Sequence, residues 1–108
     1  MLVVLPEKIQ SEITSARKAL DDGNEGKARV CARRAVGNAF RFSNHTKGND
    51  ILISANEILK LIATNENFSE EARKAARRLS ANVNEADISL QPVEDALLII
   101  EELLRGNQ

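Results

Sequence analysis

Arg41 and His45 are the residues of this sequence whose types and spacing could perform acid–base chemistry on a phosphate. His45 is the only histidine in the 108-residue chain. Residues four apart share one side of a helix, so both side chains could reach one phosphate. A neutral His could take a proton from a ribose 2′-hydroxyl while Arg stabilises the developing charge. With one His, a second subunit would have to supply the other acid–base group, unless the same residue served twice. A helix-terminal His near C-terminal carbonyls, with an Arg beside it, is the favoured explanation of the pair.

The same predicted helix carries a cationic strip. No acidic residue occurs between Gly26 and Asn49. At about 100° per residue, Lys27, Arg34 and Arg41 fall on one side, where they could bind a phosphate backbone or an acidic partner. The alternative is that the strip packs against the acidic last quarter of the chain and needs no ligand. That quarter contains Glu85, Asp87, Glu94, Asp95, Glu101 and Glu102.

Hydrophobic periodicity predicts an all-α fold, a compact antiparallel bundle of four to five helices. Their predicted ranges are about 2–22, 24–45, 51–63, 69–84 and 92–105. Gly23 suits a C-terminal cap, whereas Asn24 and Ser69 suit N-terminal caps. The third helix has apolar residues off its main stripe, so it is expected to be the central one. A chain of this length predicts a single domain, 1–108.

Composition excludes several classes of protein. The net charge is −1, which argues against a basic protein that coats nucleic acid. The single Cys31 rules out an internal disulfide and a four-Cys zinc site, and its place beside the Ala face indicates a small buried residue. Without a Gly-rich phosphate loop or a metal-ligand cluster, no cofactor or metal is expected. No apolar run approaches the roughly 18 residues of a membrane span, so a cytoplasmic protein is predicted.

Aromatic residues and the last helix bear on partners. Only Phe40, Phe42 and Phe68 are aromatic, so binding of single strands by base stacking is not expected. Phe42 falls on the Ala face of the second helix and is predicted to be buried. In the last helix, Leu98 and Ile99 lie away from the centre of the apolar stripe. They predict a dimer interface between two copies of the chain.

Two local patterns resemble parts of helical repeats. Residues 28–35 and 72–79 share an Ala-Arg-x-x-Ala-Arg-Arg pattern. Either an internal duplication or chance similarity between two amphipathic helices explains it. Residues 19–35 resemble the turn between the paired helices of a tetratricopeptide repeat, which would imply an adaptor with an open groove. The usual closing proline and a second clean copy are missing.

A longer pattern extends over about 100 residues. A first helix ends at a Gly-containing turn and leads into the Ala-rich segment 20–39. A polar loop with His45 precedes the Leu-rich segment 45–61, and segments 68–80 and 92–104 follow. This order resembles the HEPN family of small helical domains. The resemblance implies a helical bundle, and in nuclease members a His and an Arg act on RNA, commonly across a dimer interface.

The functional signature of that family is incomplete here. It is an Arg followed by a His after four to six residues, usually late in the chain. No His follows Arg77 and Arg78, and only three residues separate Arg41 from His45. Nuclease activity is therefore not carried over. The expected function is a non-catalytic interaction module of HEPN type, which forms a homodimer and acts through a protein partner. The alternative is a domain that binds or processes RNA or nucleotides and uses Arg41, His45 and the strip around Arg34.

Overall fold

The computed structural model describes residues 5–45, 53–81 and 88–105, which form five helices and no strand. The helices are α1 (Glu7–Asp21), α2 (Glu25–His45), α3 (Ala55–Ala63), α4 (Glu70–Ser80) and α5 (Pro92–Leu104). The predicted all-α bundle is confirmed. The predicted helical residues 2–4, 51–52 and 82–84 lie outside the described residues. None of the described helices is both long and apolar enough to cross a membrane.

Local capping explains where several helices begin. Gly23 has a φ of 78°, the left-handed conformation predicted for the turn after α1. The Lys27 amide donates to Asn24 Oδ1 at 3.1 Å, which confirms Asn24 as the cap of α2. Ser69 likewise accepts from the Ala72 amide at 3.1 Å and caps α4. These caps join α1 and α2 as a tight helical hairpin and fix the first turn of α4.

Helix α3 begins later than predicted. Its cap is Ser54, whose hydroxyl accepts from the Glu57 amide at 3.2 Å, and Ile53 precedes the helix. The prediction that residues 53 and 54 are helical is therefore wrong. Hydrophobic periodicity continues through Ile53, but the serine hydroxyl satisfies an amide that has no partner within the helix.

Helix α2, and not α3, is central to the described bundle. It contacts all four other helices, whereas α3 contacts only α2 and α4. The predicted Ala face is fully buried at Ala28, Ala32, Ala35 and Ala39. Small side chains allow neighbouring helices to approach α2 closely. The prediction that Phe42 is buried on this face is wrong. Phe42 lies in the last turn of α2 and is 46% exposed.

Gly37 allows the start of α3 to pack against α2. A Cβ at this position would lie 3.1 Å from Ala55 Cβ and 3.3 Å from Arg41 Nη1. Ala55 belongs to the first turn of α3, so the clash can be relieved only by moving backbone. A Cβ at Gly26, in contrast, would meet only Asn24 Oδ1 at 3.9 Å.

Gly37→Ala is therefore expected to lower the free energy of unfolding by about 1 kcal/mol, because the packing strain exceeds the gain in helix propensity. Gly26→Ala is the matched control and should raise it by up to about 1 kcal/mol. Chemical denaturation of both variants measures the difference. Equal stabilisation by the two substitutions would show that α3 does not approach α2 at Gly37.

Candidate functional site

The predicted cationic strip divides into exposed and engaged residues. Lys27 and Arg34 are exposed. Arg41 is half-buried, and its Nη2 donates to the Ile53 carbonyl at 2.9 Å. Arg41 therefore fastens the segment before α3 to the end of α2. The side chain of His45 lies outside the described part of the structure, so the Arg41–His45 pair stays a prediction.

The strip does not pack against the acidic last helix as the alternative expected. Lys27 and Arg34 face solvent, and neither forms an ion pair with α5 among the described residues. Two other arginines of α2 extend toward the junction of α4 and α5. They are Arg29, which is only 8% exposed, and Arg33, which is half-buried.

Arg33 caps the C-terminal end of α4 from outside that helix. Its Nε donates to the Leu79 carbonyl at 2.6 Å, and its Nη2 donates to the Ala81 carbonyl at 3.2 Å. The last carbonyls of a helix lack partners within it and carry partial negative charge. Burial and the neighbouring Arg29 guanidinium lower the pKa of Arg33 from its ordinary value. The α4 carbonyls supply the compensation that a buried cation needs.

A partly buried polar network joins three helices beside this cap. Arg78 donates to Asp95 through two bonds, Nε to Oδ2 at 3.1 Å and Nη2 to Oδ1 at 2.7 Å. These bonds raise the pKa of Arg78. The Ser89 hydroxyl donates to Asp95 Oδ2 at 2.6 Å, and Arg29 Nε donates to the Ser89 carbonyl at 2.9 Å. The network therefore links α2, α4 and α5 through the residue before Leu90.

An open groove of about 600 Å³ lies on the outer side of this network. We call it the Leu90 groove, after the most exposed of the large hydrophobic residues described, at 80%. It contains three cations and one carboxylate. Its lining residues are Lys74, Arg77, Arg78, Ile88, Leu90, Gln91 and Asp95. The groove combines positive charge with exposed apolar surface, which suits recognition of a ligand that has acidic and apolar groups.

A second groove, of about 520 Å³, lies where α3 ends. Phe40 and Phe68 contribute its aromatic part, and Leu61 is 52% exposed beside it. Leu61 is one of the apolar residues off the main stripe of α3, which a central position of α3 would have covered. Its exposure follows from the peripheral place of α3 in the described bundle. We refer to this surface as the Phe40 groove.

The predicted dimer-interface residues differ in burial. Leu98 is 38% exposed, but Ile99 is fully buried. Although the pattern placed Ile99 away from the centre of the apolar stripe, the residue is covered, because α1, α2 and α4 together contact a wide arc of α5. Leu98 has the exposed Glu94 and Glu101 one turn away on either side. The homodimer stays a prediction, and sedimentation at two protein concentrations tests it.

The shared pattern at 28–35 and 72–79 has a common packing role. Its apolar positions are fully buried in both helices: Ala28, Ala32, Ala35, Ala72, Ala76 and Leu79. The arginines have different surroundings, since Arg33 caps α4 whereas its counterpart Arg77 is exposed. Burial of the small residues accounts for the shared spacing in both helices. A duplication stays a hypothesis.

Cys31 is a buried residue of the core, 3% exposed, as predicted. Burial raises the pKa of its thiol from the ordinary value of 9.0, and the carboxylate of Glu12 raises that pKa further. Nearby Arg34 and Lys27 act in the opposite direction but more weakly. A buried, protonated thiol is a poor nucleophile.

Cys31 is therefore expected to react with a disulfide reagent far more slowly in the folded protein than in denaturant, because the thiolate forms only after local opening. Absorbance of the released thiolate measures the rate. The raised pKa also means that the unfolded chain loses the thiol proton first above pH 9.0, so this group lowers stability there. In Cys31→Ala, this loss of stability above pH 9.0 should vanish. Equal labelling rates with and without denaturant would contradict the assignment.

A search for metal-ligand groups and comparisons with known proteins do not identify a reaction for this chain. Within residues 5–45, 53–81 and 88–105, no group of three His, Cys, Asp or Glu side chains could hold a metal ion. A scan against family models gave no match, and searches of curated proteins and of solved structures found no match either. The resemblances to HEPN domains and tetratricopeptide repeats therefore stay predictions, and function is argued from the Leu90 groove and the exposed cations.

Proposed function

We propose that this chain is a non-catalytic helical domain, of the HEPN-like kind that its order of helices suggests, and that it acts by binding a protein partner. The observation that carries this proposal is Leu90, which is 80% exposed although the preceding Ser89 is fully buried. With Ile88, Lys74 and Arg77 in the same groove, Leu90 forms a surface that is both apolar and cationic, which suits recognition of a protein segment.

The use of the polar residues supports the same function. Arg41 holds the Ile53 carbonyl, and Arg33 caps α4. Cys31 is buried with its pKa raised. These residue types could otherwise perform chemistry, but here they stabilise the fold. Around Leu90, the accessible groups are instead apolar side chains and the cations Lys74 and Arg77, which suit binding of a partner.

Affinity capture from cytoplasm, the predicted compartment, followed by reconstitution with purified protein tests this function. We expect a stoichiometric complex with one protein, and no cleavage of an RNA oligonucleotide by wild type. RNA cleavage that is lost in Arg41→Ala and His45→Ala would contradict the non-catalytic assignment. Failure of every captured protein to bind after purification would contradict the binding function.

A second candidate function is RNA or nucleotide binding through α2. Lys27 and Arg34 favour it, because both are exposed on one side of the helix, two turns or about 10 Å apart. Cations so placed could contact successive phosphates. Fluorescence anisotropy with an RNA oligonucleotide tests this candidate, using Lys27→Glu/Arg34→Glu with Arg17→Glu as the control. It predicts a loss of binding in the double variant alone, whereas no binding by wild type would exclude it.

A further inference from the structure

Leu90 is held in place by hydrogen bonds on both sides. The Ser89 amide donates to the Arg78 carbonyl at 3.2 Å, and the Ser89 carbonyl accepts from Arg29 Nε at 2.9 Å. After Leu90, the Gln91 carbonyl accepts from the Asp95 amide at 2.9 Å in the first turn of α5. The backbone around Leu90 is thus fixed by α2, α4 and α5. Because this backbone is already ordered, a partner that covers Leu90 pays little conformational entropy for ordering the segment.

The charge available in the Leu90 groove is positive. Arg78 is neutralised by its paired bonds with Asp95. Arg77 is exposed, and it forms no ion pair within the described residues. Lys74 lies 3.6 Å from Glu70, but both side chains are exposed, so water screens this pair. Arg77 and Lys74 therefore remain available to an incoming carboxylate.

We propose that the Leu90 groove binds an acidic segment of a partner protein, whose apolar side chain packs against Leu90 and Ile88 while its carboxylates pair with Arg77 and Lys74. This inference rests on the proposed protein-binding function and names the site and the chemistry of the partner. The groove fits a short segment, because its volume of about 600 Å³ accommodates a few side chains.

A nucleic acid fits this groove less well. None of the described lining residues is aromatic, so bases would find no stacking platform. The most exposed lining residue is instead a leucine, and Asp95 adds a carboxylate to the groove wall. The chain as a whole is also slightly acidic, with a net charge of −1. An acidic peptide with an apolar side chain matches both components of the groove.

A displayed library of random peptides of about 12 residues provides the probe. Peptides selected on the full chain should be rich in Asp and Glu and contain a large apolar residue. Calorimetry with a selected synthetic peptide then compares variants. We expect Leu90→Ser to weaken binding about tenfold and Arg77→Glu to weaken it at least fivefold, whereas the matched controls Leu61→Ser and Arg17→Glu should stay within about twofold.

Several results would overturn the inference. The library could yield no binding peptide, or it could yield basic peptides. The controls Leu61→Ser or Arg17→Glu could also lose as much peptide affinity as the groove variants. Tighter binding of an RNA oligonucleotide, weakened by Arg77→Glu but not by Leu90→Ser, would assign the groove to nucleic acid. Self-association that disappears in Leu90→Ser would make a second copy the occupant. A reconstituted protein complex that tolerates the groove variants would overturn this site and leave the proposed function standing.

Discussion

Replacing Asp95 with Ala is expected to lower the free energy of unfolding by about 3 kcal/mol, the largest effect that we predict. Asp95 is 7% exposed and accepts three hydrogen bonds, two from Arg78 and one from Ser89. Its removal leaves a partly buried guanidinium and a buried hydroxyl without their acceptor. Water can reach Arg78, whose side chain is 41% exposed, so much of the cost comes from the fully buried Ser89 hydroxyl that loses its acceptor.

Glu94→Ala is the matched control for this experiment. Glu94 occupies the same first turn of α5, where a carboxylate interacts favourably with the helix dipole, but it is exposed. Its loss should cost no more than about 0.5 kcal/mol. Urea titrations of both variants supply the comparison. If Asp95→Ala were as mild as Glu94→Ala, the bonds to Arg78 and Ser89 would contribute nothing to the folded state.

Arg33→Met is expected to lower the free energy of unfolding by about 2 kcal/mol. Methionine retains most of the aliphatic stem of Arg33, so the change chiefly removes the bonds to the Leu79 and Ala81 carbonyls. Those carbonyls end α4, and a buried acceptor left unpaired costs its full desolvation free energy. Because both partners lie on another element, the loss should also loosen the contact between α2 and α4.

The control variant Arg34→Met shows whether the loss of stability comes from the lost hydrogen bonds of Arg33 or only from removal of a positive charge. Arg34 is exposed on the other side of α2, so its replacement should change stability by no more than about 0.5 kcal/mol. Hydrogen exchange adds a local readout, since amides at the end of α4 should exchange faster in Arg33→Met only. Equal destabilisation by the two variants would refute a specific capping role for Arg33.

The all-α fold and several of its caps followed from local rules. Gly23, Asn24 and Ser69 act within one turn of their own helices, so neighbouring residues decide their conformations. The start of α3 did not follow, because periodicity continues through Ile53 and conceals the cap at Ser54. Periodicity locates an apolar face better than it locates a helix end.

The arginines of α2 show the limit of a helical projection. Lys27 and Arg34 lie on one flank of the Ala face, and Arg29 and Arg33 lie on the other. Both flanks are at comparable angles from that face, so the pattern alone does not tell which one meets the end of α4. In the folded chain, the flank with Arg29 and Arg33 is the one that packs against the end of α4 and the segment before α5. The candidate site was missed for the same reason, because it forms only where α2, α4 and α5 meet.

Leu90 gave a weak signal in the sequence. It is an isolated leucine before Gln91 and Pro92, and nothing local distinguishes a buried leucine there from an exposed one. Its exposure depends on Ser89, which the network buries. The charge pattern placed Asp95 among the acidic residues of the last quarter that could attract the cationic strip of α2, whereas its observed partner is Arg78 of α4, a long-range contact.

Amide chemical-shift mapping tests most directly whether this domain binds a protein segment at the Leu90 groove. Isotope-labelled wild-type chain is titrated with a selected acidic peptide. The largest shift changes are predicted at Lys74, Arg77, Leu90 and Gln91, with little change at Lys27, Arg34 or Leu61. Largest changes at Lys27 and Arg34, or around Leu61 in the Phe40 groove, would contradict the assignment of the Leu90 groove as the binding site.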